Sequence, residues 1–252
     1  MRGWYVISTR PLQRHGGLRR AAAALGARVF AISTIELQAL PQGPELAAAL
    51  RCDDIIVTSP PAVQFAAAPA MRRALARRAR RWFAIGAGTA GALRRRGAQE
   101  VLWPASGSDS EALLALPGLQ SVRGREIGLL TAPGGRGLVA ATLRQRGAHV
   151  REAHVYRRVA RTPRSARLGA LAALPAQQAL VLTSQEAFTP LWSALPESSR
   201  TRLRASPCLV ASDRLATFAN ALGFSCVLRA ASAQPGELLR ALATYAAATR
   251  IR

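Results

Sequence analysis

Short aliphatic runs recur along the chain, separated by longer stretches of Ala, Arg and Leu. The runs include WYVIS (4–8), DDIIV (53–57), WFAI (82–85), EIGLL (126–130), QALVL (178–182) and CLV (208–210). They are continuous rather than alternating with polar residues, as parallel strands covered on both faces require. The intervening stretches, such as LRRAAAALGA (18–27) and LVAATLRQRGA (138–148), predict amphipathic helices. Alternating β and α elements predict an α/β fold with parallel sheets.

Two of the runs stop on the same pair of residues. DDIIVTSPPAV (53–63) ends its run at Thr58-Ser59, and QALVLTSQEAF (178–188) at Thr183-Ser184. This is one of three segment types that each occur twice. Another is strand, turn, helix, Gly-Ala and a second strand, found at 4–37 and 125–159. The third joins strand, helix, short strand and helix, at 82–116 and 208–242. In both copies of the third a glycine, Gly97 or Gly223, precedes the second strand, where a helix end calls for a left-handed residue. Ser110-Glu111 and Gly236-Glu237 then read as helix starts with a carboxylate in the first turn. Such duplication predicts two similar parallel-sheet domains, and periodicity alone would cut the chain near residue 125. In open parallel sheets ligands bind beyond the carboxyl ends of the strands. The Thr-Ser pairs stand there, where a hydroxyl caps the next helix and the helix's free N–H groups can hold an anion.

Composition narrows the chemistry. At 252 residues, half of them apolar, the chain is globular and long enough for two cores. No apolar run approaches the roughly 18 residues of a membrane span. The N-terminus lacks the apolar stretch and cleavage site of a signal peptide, so we expect a cytoplasmic protein. Cys52, Cys208 and Cys226 form no CxxC. His149 and His154 lie five apart, on opposite faces of a strand, and neither these nor His15 suggest a metal site. There is no GxSxG elbow and no Ser-His-Asp set. Net charge is +22, carried entirely by arginine, which favours polyanionic partners unless it reflects biased composition. Arg72-Arg73, Arg77-Arg78 and Arg80-Arg81 read as a solvated helix face. No helix-turn-helix, RNP or OB pattern accompanies the charge, so neither nucleic acid nor membrane is an expected partner. What the chain does offer is anion-binding equipment: Gly-rich turns, strand-end hydroxyls, helix N-termini and arginine.

ISTRP (7–11), DDIIVTSPPAV (53–63), AIGAGTAGALRRRGA (84–98), APGGRGLVAATLRQRGAHVREAHVYRR (132–158), LTSQEAF (182–188) and ASDRLATFANALGF (211–224) occur in a fixed order. Together they resemble the uroporphyrinogen-III synthase family over some 220 residues. The resemblance implies two similar α/β domains joined by a two-stranded β-ladder, with the active-site cleft between them. It implies one discontinuous domain from residues 1–36 and 160–252, a second from 37–159, and ladder strands near 34–40 and 153–159. One departure is Ser33, near a place where the family usually has proline. The implied activity is cofactor-free cyclisation of hydroxymethylbilane, with inversion of the terminal pyrrole ring and loss of water, giving uroporphyrinogen III. The substrate carries eight carboxylates, so the protein must mainly fold it and hold it in one geometry.

The resemblance also implies roles for individual residues. Tyr156, in the second ladder strand, is the candidate hydrogen-bond donor or general acid for departure of the hydroxyl. Thr89 matches a carboxylate-binding hydroxyl; its counterpart in the other domain is Arg214 or its neighbour. Arg10, Arg136 and Arg214 are candidate carboxylate ligands, and Ser59, Ser184 and Ser212 candidate positioners of the substrate. Gly134 and Gly135 would let backbone approach the ligand closely. A small-molecule partner and a monomer are expected. Two other readings share these features: a non-catalytic two-domain binding or regulatory protein, and a basic nucleic-acid-binding protein.

Overall fold

Each aliphatic run forms a strand in the computed structural model, which describes residues 1–12, 14–77, 80–107, 109–135 and 137–249. The chain begins with β1 (Tyr5–Ser8), α1 (Gly16–Ala24), β2 (Arg28–Ala31) and β3 (Ile35–Ala39). Next come α2 (Pro44–Ala49), β4 (Asp54–Val57), α3 (Pro60–Phe65), α4 (Ala68–Leu75), β5 (Arg81–Ala84) and α5 (Ala87–Arg95). β6 (Val101–Leu102) and α6 (Ser110–Leu114) lead through a 3-10 turn to β7 (Glu126–Thr131), α7 (Leu138–Gln145) and β8 (His149–His154). The chain then returns along β9 (Tyr156–Ala160), α8 (Ser165–Ala172), β10 (Gln178–Leu182), α9 (Gln185–Ala194) and α10 (Glu197–Arg204). It ends with β11 (Cys208–Val210), α11 (Asp213–Ala221), β12 (Val227–Arg229) and α12 (Pro235–Thr249).

These elements make two compact units. The first combines Met1–Glu36 with Val159–Arg252, and the second is Leu37–Arg158. Each carries a five-stranded sheet, ordered β12-β11-β10-β1-β2 in the first and β6-β5-β4-β7-β8 in the second; β3 pairs with β9. All the strand pairs recorded within the two large sheets are parallel. The two orders correspond position by position to the duplicated segments: β1 and β7, β2 and β8, β10 and β4, β11 and β5, β12 and β6. Each sheet therefore holds one copy of every segment type.

The continuous runs are explained by burial on both faces. In the first unit Ile7, Leu180, Leu182, Cys208 and Val210 join one apolar cluster with Phe188 and Leu191 of α9. Their neighbours Val6, Ala179, Val181 and Leu209 join another with Leu18 of α1 and Leu238 and Leu242 of α12. Every residue of β4 and β10 is buried. In the second unit Gly128 of β7 lets α2 lie directly on the sheet, since a Cβ there would stand 2.1 Å from the Ala49 carbonyl oxygen.

Arginine satisfies polar groups inside this frame. At the start of β4 the Asp54 carboxylate is only 2% exposed; Arg81 grips it with two bonds of 2.7 and 3.2 Å, and Arg125 also pairs with it. Arg80 is buried and donates to the carbonyls of Ala74 and Arg51. Arg80 and Arg81 thus belong to the core edge and to β5, not to a solvated helix face. The helix stops at Leu75, so the chain has turned inward before it reaches them; Arg78 lies outside the described residues.

In the first unit His15 ties the loop after β1 to the end of β2. Its Nδ1 lies 3.1 Å from the Ser8 hydroxyl and its Nε2 2.8 Å from that of Ser33. Its pKa is pushed down to about 4, mainly by burial and then by the charges of Arg19, Arg10 and Arg167. The unfolded chain takes up this proton near pH 6.5 and the folded chain does not, so acid favours unfolding across that interval. We therefore expect stability to fall between pH 6.5 and about 4. His15→Gln should remove this component, so that the wild-type advantage in urea midpoint shrinks from pH 7 to pH 4.5. A pH-independent difference would contradict the assignment. Separately, Gly128→Ala should cost about 3 kcal/mol by overpacking. Gly169→Ala, in open space within α8, should instead gain about 1 kcal/mol in the same urea titration.

Candidate active site

In the second unit a cavity of about 380 Å³ opens at the carboxyl ends of β4 and β7, with Ser59, Thr131, Gly134, Gly135, Tyr156 and Arg158 among its lining residues. The strand periodicity assembles one wall: Glu152, His154, Tyr156 and Arg158 are spaced by two and all line the cavity. The opposite side is the turn between β7 and α7. Gly134 and Gly137 there have φ of +83° and +68°, the left-handed conformation that a side chain rarely adopts. Among the described residues no atom lies within 4 Å of a Cβ built on Gly134 or Gly135, so these two glycines present bare backbone.

Tyr156 opens β9 with only 2% of its surface exposed. Its ring stacks on Phe65, the last residue of α3, with centroids 5.7 Å apart and planes 21° from parallel. The Arg158 guanidinium lies 6.0 Å from its ring centre. Its phenolic oxygen stands 3.1 Å from the Ser59 hydroxyl. Ser59 is fixed in turn as the N-cap of α3, accepting the Ala62 N–H at 3.1 Å. Beside it the Thr58 hydroxyl donates to that of Thr131 at 2.9 Å, joining β4 to β7 at their ends. A buried phenol is thus held at its ring by Phe65 and at its oxygen by the Ser59 hydroxyl. Such a group can donate a proton or a hydrogen bond to an oxygen entering the cavity.

The other sequence candidates are distributed differently. Ser184 and Ser212 cap α9 and α11 in the first unit, accepting the N–H groups of Ala187 and Leu215 at 3.3 and 3.4 Å. Arg10, at the end of β1, donates to the Ala233 carbonyl at 2.7 Å; burial and Arg14 lower its pKa. Arg214 is exposed in the first turn of α11. Thr89 is 1% exposed and is not among the residues lining the cavity. The cap of α5 is Gly86, so Thr89 is the third residue of the helix, buried within its first turn. Counted from the caps Gly86 and Ser212, its counterpart is Leu215. Arg136 lies outside the described residues. Sequence reasoning missed Phe65, which meets Tyr156 only through the tertiary fold. His154, the last residue of β8, and Arg158 of β9 were detectable, two residues either side of Tyr156.

A family model described as uroporphyrinogen-III synthase HemD matches residues 17–240. The chain is 34% identical over 248 residues to the uroporphyrinogen-III synthase of Escherichia coli strain K12, covering 94% of this chain and 99% of that protein. It is similar in fold to the solved structure of uroporphyrinogen-III synthetase from Helicobacter pylori 26695. That match has a TM-score of 0.60 at 13% identity and covers 97% of this chain and 100% of that one. It is also similar to a mutant uroporphyrinogen III synthase from Thermus thermophilus, with a TM-score of 0.57 at 20% identity over 95% and 99% of the two chains.

The cap geometry makes a simple prediction. Ser184→Ala and Ser212→Ala should each lower stability by about 1 kcal/mol, whereas glycine at either place should cost only a few tenths. Equal losses for alanine and glycine in urea denaturation would show that these hydroxyls do not act as caps.

Proposed function

The chain belongs to the uroporphyrinogen-III synthase family, and from that premise we propose that Tyr156 is the acid that releases the substrate hydroxyl. The reaction is cyclisation of hydroxymethylbilane with inversion of the terminal pyrrole ring, in haem biosynthesis. The carbon–oxygen bond breaks as the Tyr156 O–H gives its proton to the departing hydroxyl, which leaves as water. The remaining azafulvenium cation is attacked by the terminal pyrrole at its substituted carbon, and rearrangement of that spiro centre inverts the ring. The proton lost on aromatisation returns to the phenolate, so the net change is loss of one water.

The observation that carries this reading is the Tyr156 oxygen, held by Ser59 at the edge of a cavity walled by bare glycine backbone. We infer that Ser59 orients the phenol, and that Gly134 and Gly135 offer their peptide groups to a substrate carboxylate. Arg10, Arg214, Ser184 and Ser212 stand at strand ends or first helical turns of the first unit. Their proposed role is to hold further carboxylates, directly or through the N–H groups they cap. For Thr89 the described geometry offers no support, and for Arg136 it is silent. The reading includes a monomer, supported by a separate buried core in each unit. It also includes a cytoplasmic location, in keeping with three free cysteines. No helix among the described residues is long and apolar enough to cross a membrane.

Hydroxymethylbilane generated in situ, with chromatographic separation of the uroporphyrinogen isomers, tests the assignment. The wild-type protein should yield mainly the type III isomer; only type I at the uncatalysed rate would overturn the reading. Tyr156→Phe keeps the stack on Phe65 but loses the hydroxyl. It should fold normally and turn over on the order of 10²-fold more slowly, and an unchanged rate would remove the phenol from the mechanism.

A further inference from the structure

The duplicated segments place a second cavity in the first unit. Gly26-Ala27 aligns with Gly147-Ala148, which sets Gly16 against Gly137, Ala31 against Glu152 and Ser33 against His154. Gly137, Glu152 and His154 line the cavity that holds Tyr156, and Gly16, Ala31 and Ser33 line another of about 480 Å³. It too opens at the carboxyl ends of parallel strands, between the loop after β1, the end of β2 and the entry to α8.

Its chemistry is different. Arg19, Arg161, Arg164 and Arg167 line it, together with His15 and Ser33, and no acidic residue does. Arg161 shares its charge with Glu36 at 3.3 Å. Arg167 is fixed by two bonds to the Ala31 carbonyl, at 2.9 and 2.8 Å, and its guanidinium lies 3.8 Å from the centre of the Phe30 ring. That carbonyl is neutral, so the charge stays uncancelled, and part of the five-donor guanidinium remains free. Arg19 and Arg164 are exposed. Like charges are thus collected around one concavity by rigid elements, and His15 at its floor is kept neutral by burial and by Arg19, Arg10 and Arg167. No side chain caps α1, whose first turn holds no acidic residue and reaches the same space through Gly16. The volume is that of a small-molecule site, and planar forks match carboxylates two oxygens at a time.

We propose that this cavity of the first unit is an anion site for a paired carboxylate. The pair comes from one ring of the tetrapyrrole substrate or from a free small polycarboxylate; only the first source rests on the function proposed above. The cavity stands in the place that the duplication assigns to the Tyr156 cavity. Arginine and a neutral histidine occupy it, so it binds without supplying an acid.

Citrate is the probe, titrated into the full-length protein at low salt by calorimetry and followed at the His15 imidazole by NMR. Citrate should bind the wild-type protein and shift the His15 resonances. The double variant Arg19→Gln/Arg164→Gln, changed only at exposed positions, should bind at least tenfold more weakly with its fold intact. Absence of citrate binding, or equal binding by the double variant with His15 unmoved, overturns the site. Uroporphyrin III, a stable octacarboxylate, separates the two sources. Displacement of citrate, with a raised KM and retained kcat for hydroxymethylbilane in the double variant, assigns the site to the substrate. Citrate binding that uroporphyrin leaves untouched assigns it to a free polycarboxylate. A wild-type protein that binds citrate but makes only the type I isomer would fail the functional reading and leave the anion site standing.

Discussion

Burial of the parallel strands on both faces is the constraint on which the rest of the structure depends. A strand such as QALVL can spend no residue on a solvated face, and all five of its positions are buried. Polar chemistry must therefore wait for the strand to end. Thr58-Ser59, Thr183-Ser184 and Ser212 all stand at such ends, and three of these hydroxyls cap the next helix. The same boundary that makes a helix cap makes a ligand-facing turn, so stability and binding draw on one set of residues. Tyr156 shows the two combined. Its oxygen meets a serine that is already committed to a cap, so the phenol inherits the rigidity of the helix start.

Scarcity of acidic groups shapes the electrostatics as strongly. Thirty-five arginines face thirteen acids, so most guanidiniums cannot find an ionic partner. Several donate to carbonyls at helix C-termini, which lack partners within their own helices, and Arg200 and Arg204 do so while also pairing with Glu197. Arg202 serves Leu171 and Leu174 at the end of α8, and Arg200 serves Trp192 and Ser193 at the end of α9. Arg204 serves Leu222 after α11, and Arg146 serves Leu114 and Leu119 after α6. Positive charge at the negative end of a helix dipole is favourable. A guanidinium bonded to a carbonyl keeps its full charge, so this way of building a frame leaves the molecule basic throughout.

Much of this was legible in the sequence because it follows local rules. Continuous runs gave strands, Gly-Ala gave helix ends, and paired Thr-Ser turns gave caps. The duplication carried further, since each segment type takes the same place in its sheet. Adjacency was harder to see. That Tyr5–Ser8 pairs with Gln178–Leu182 depends on which copy completes which sheet, and strand periodicity carries no such information. Arg80 and Arg81 were misread because a run of arginine after an Ala-rich helix looks solvated, whereas Asp54 and two carbonyls wait for them inside. Thr89, read as standing at the start of a helix, does so, and its burial there depends on tertiary packing that the sequence does not display.

The two cavities set different side chains on one copied backbone geometry. Each lies where the first strand of its segment ends and the second returns, because the backbone there is copied with the strands. The side chains have diverged within that shared geometry. One copy carries Tyr156, glycines in left-handed turns and a hydroxyl network. The other carries arginines around His15, whose pKa is pushed down to about 4 mainly by burial and then by those charges. A flexible polycarboxylate needs both kinds of surface: positive charge to fix its arms, and one proton donor beside the bond that breaks.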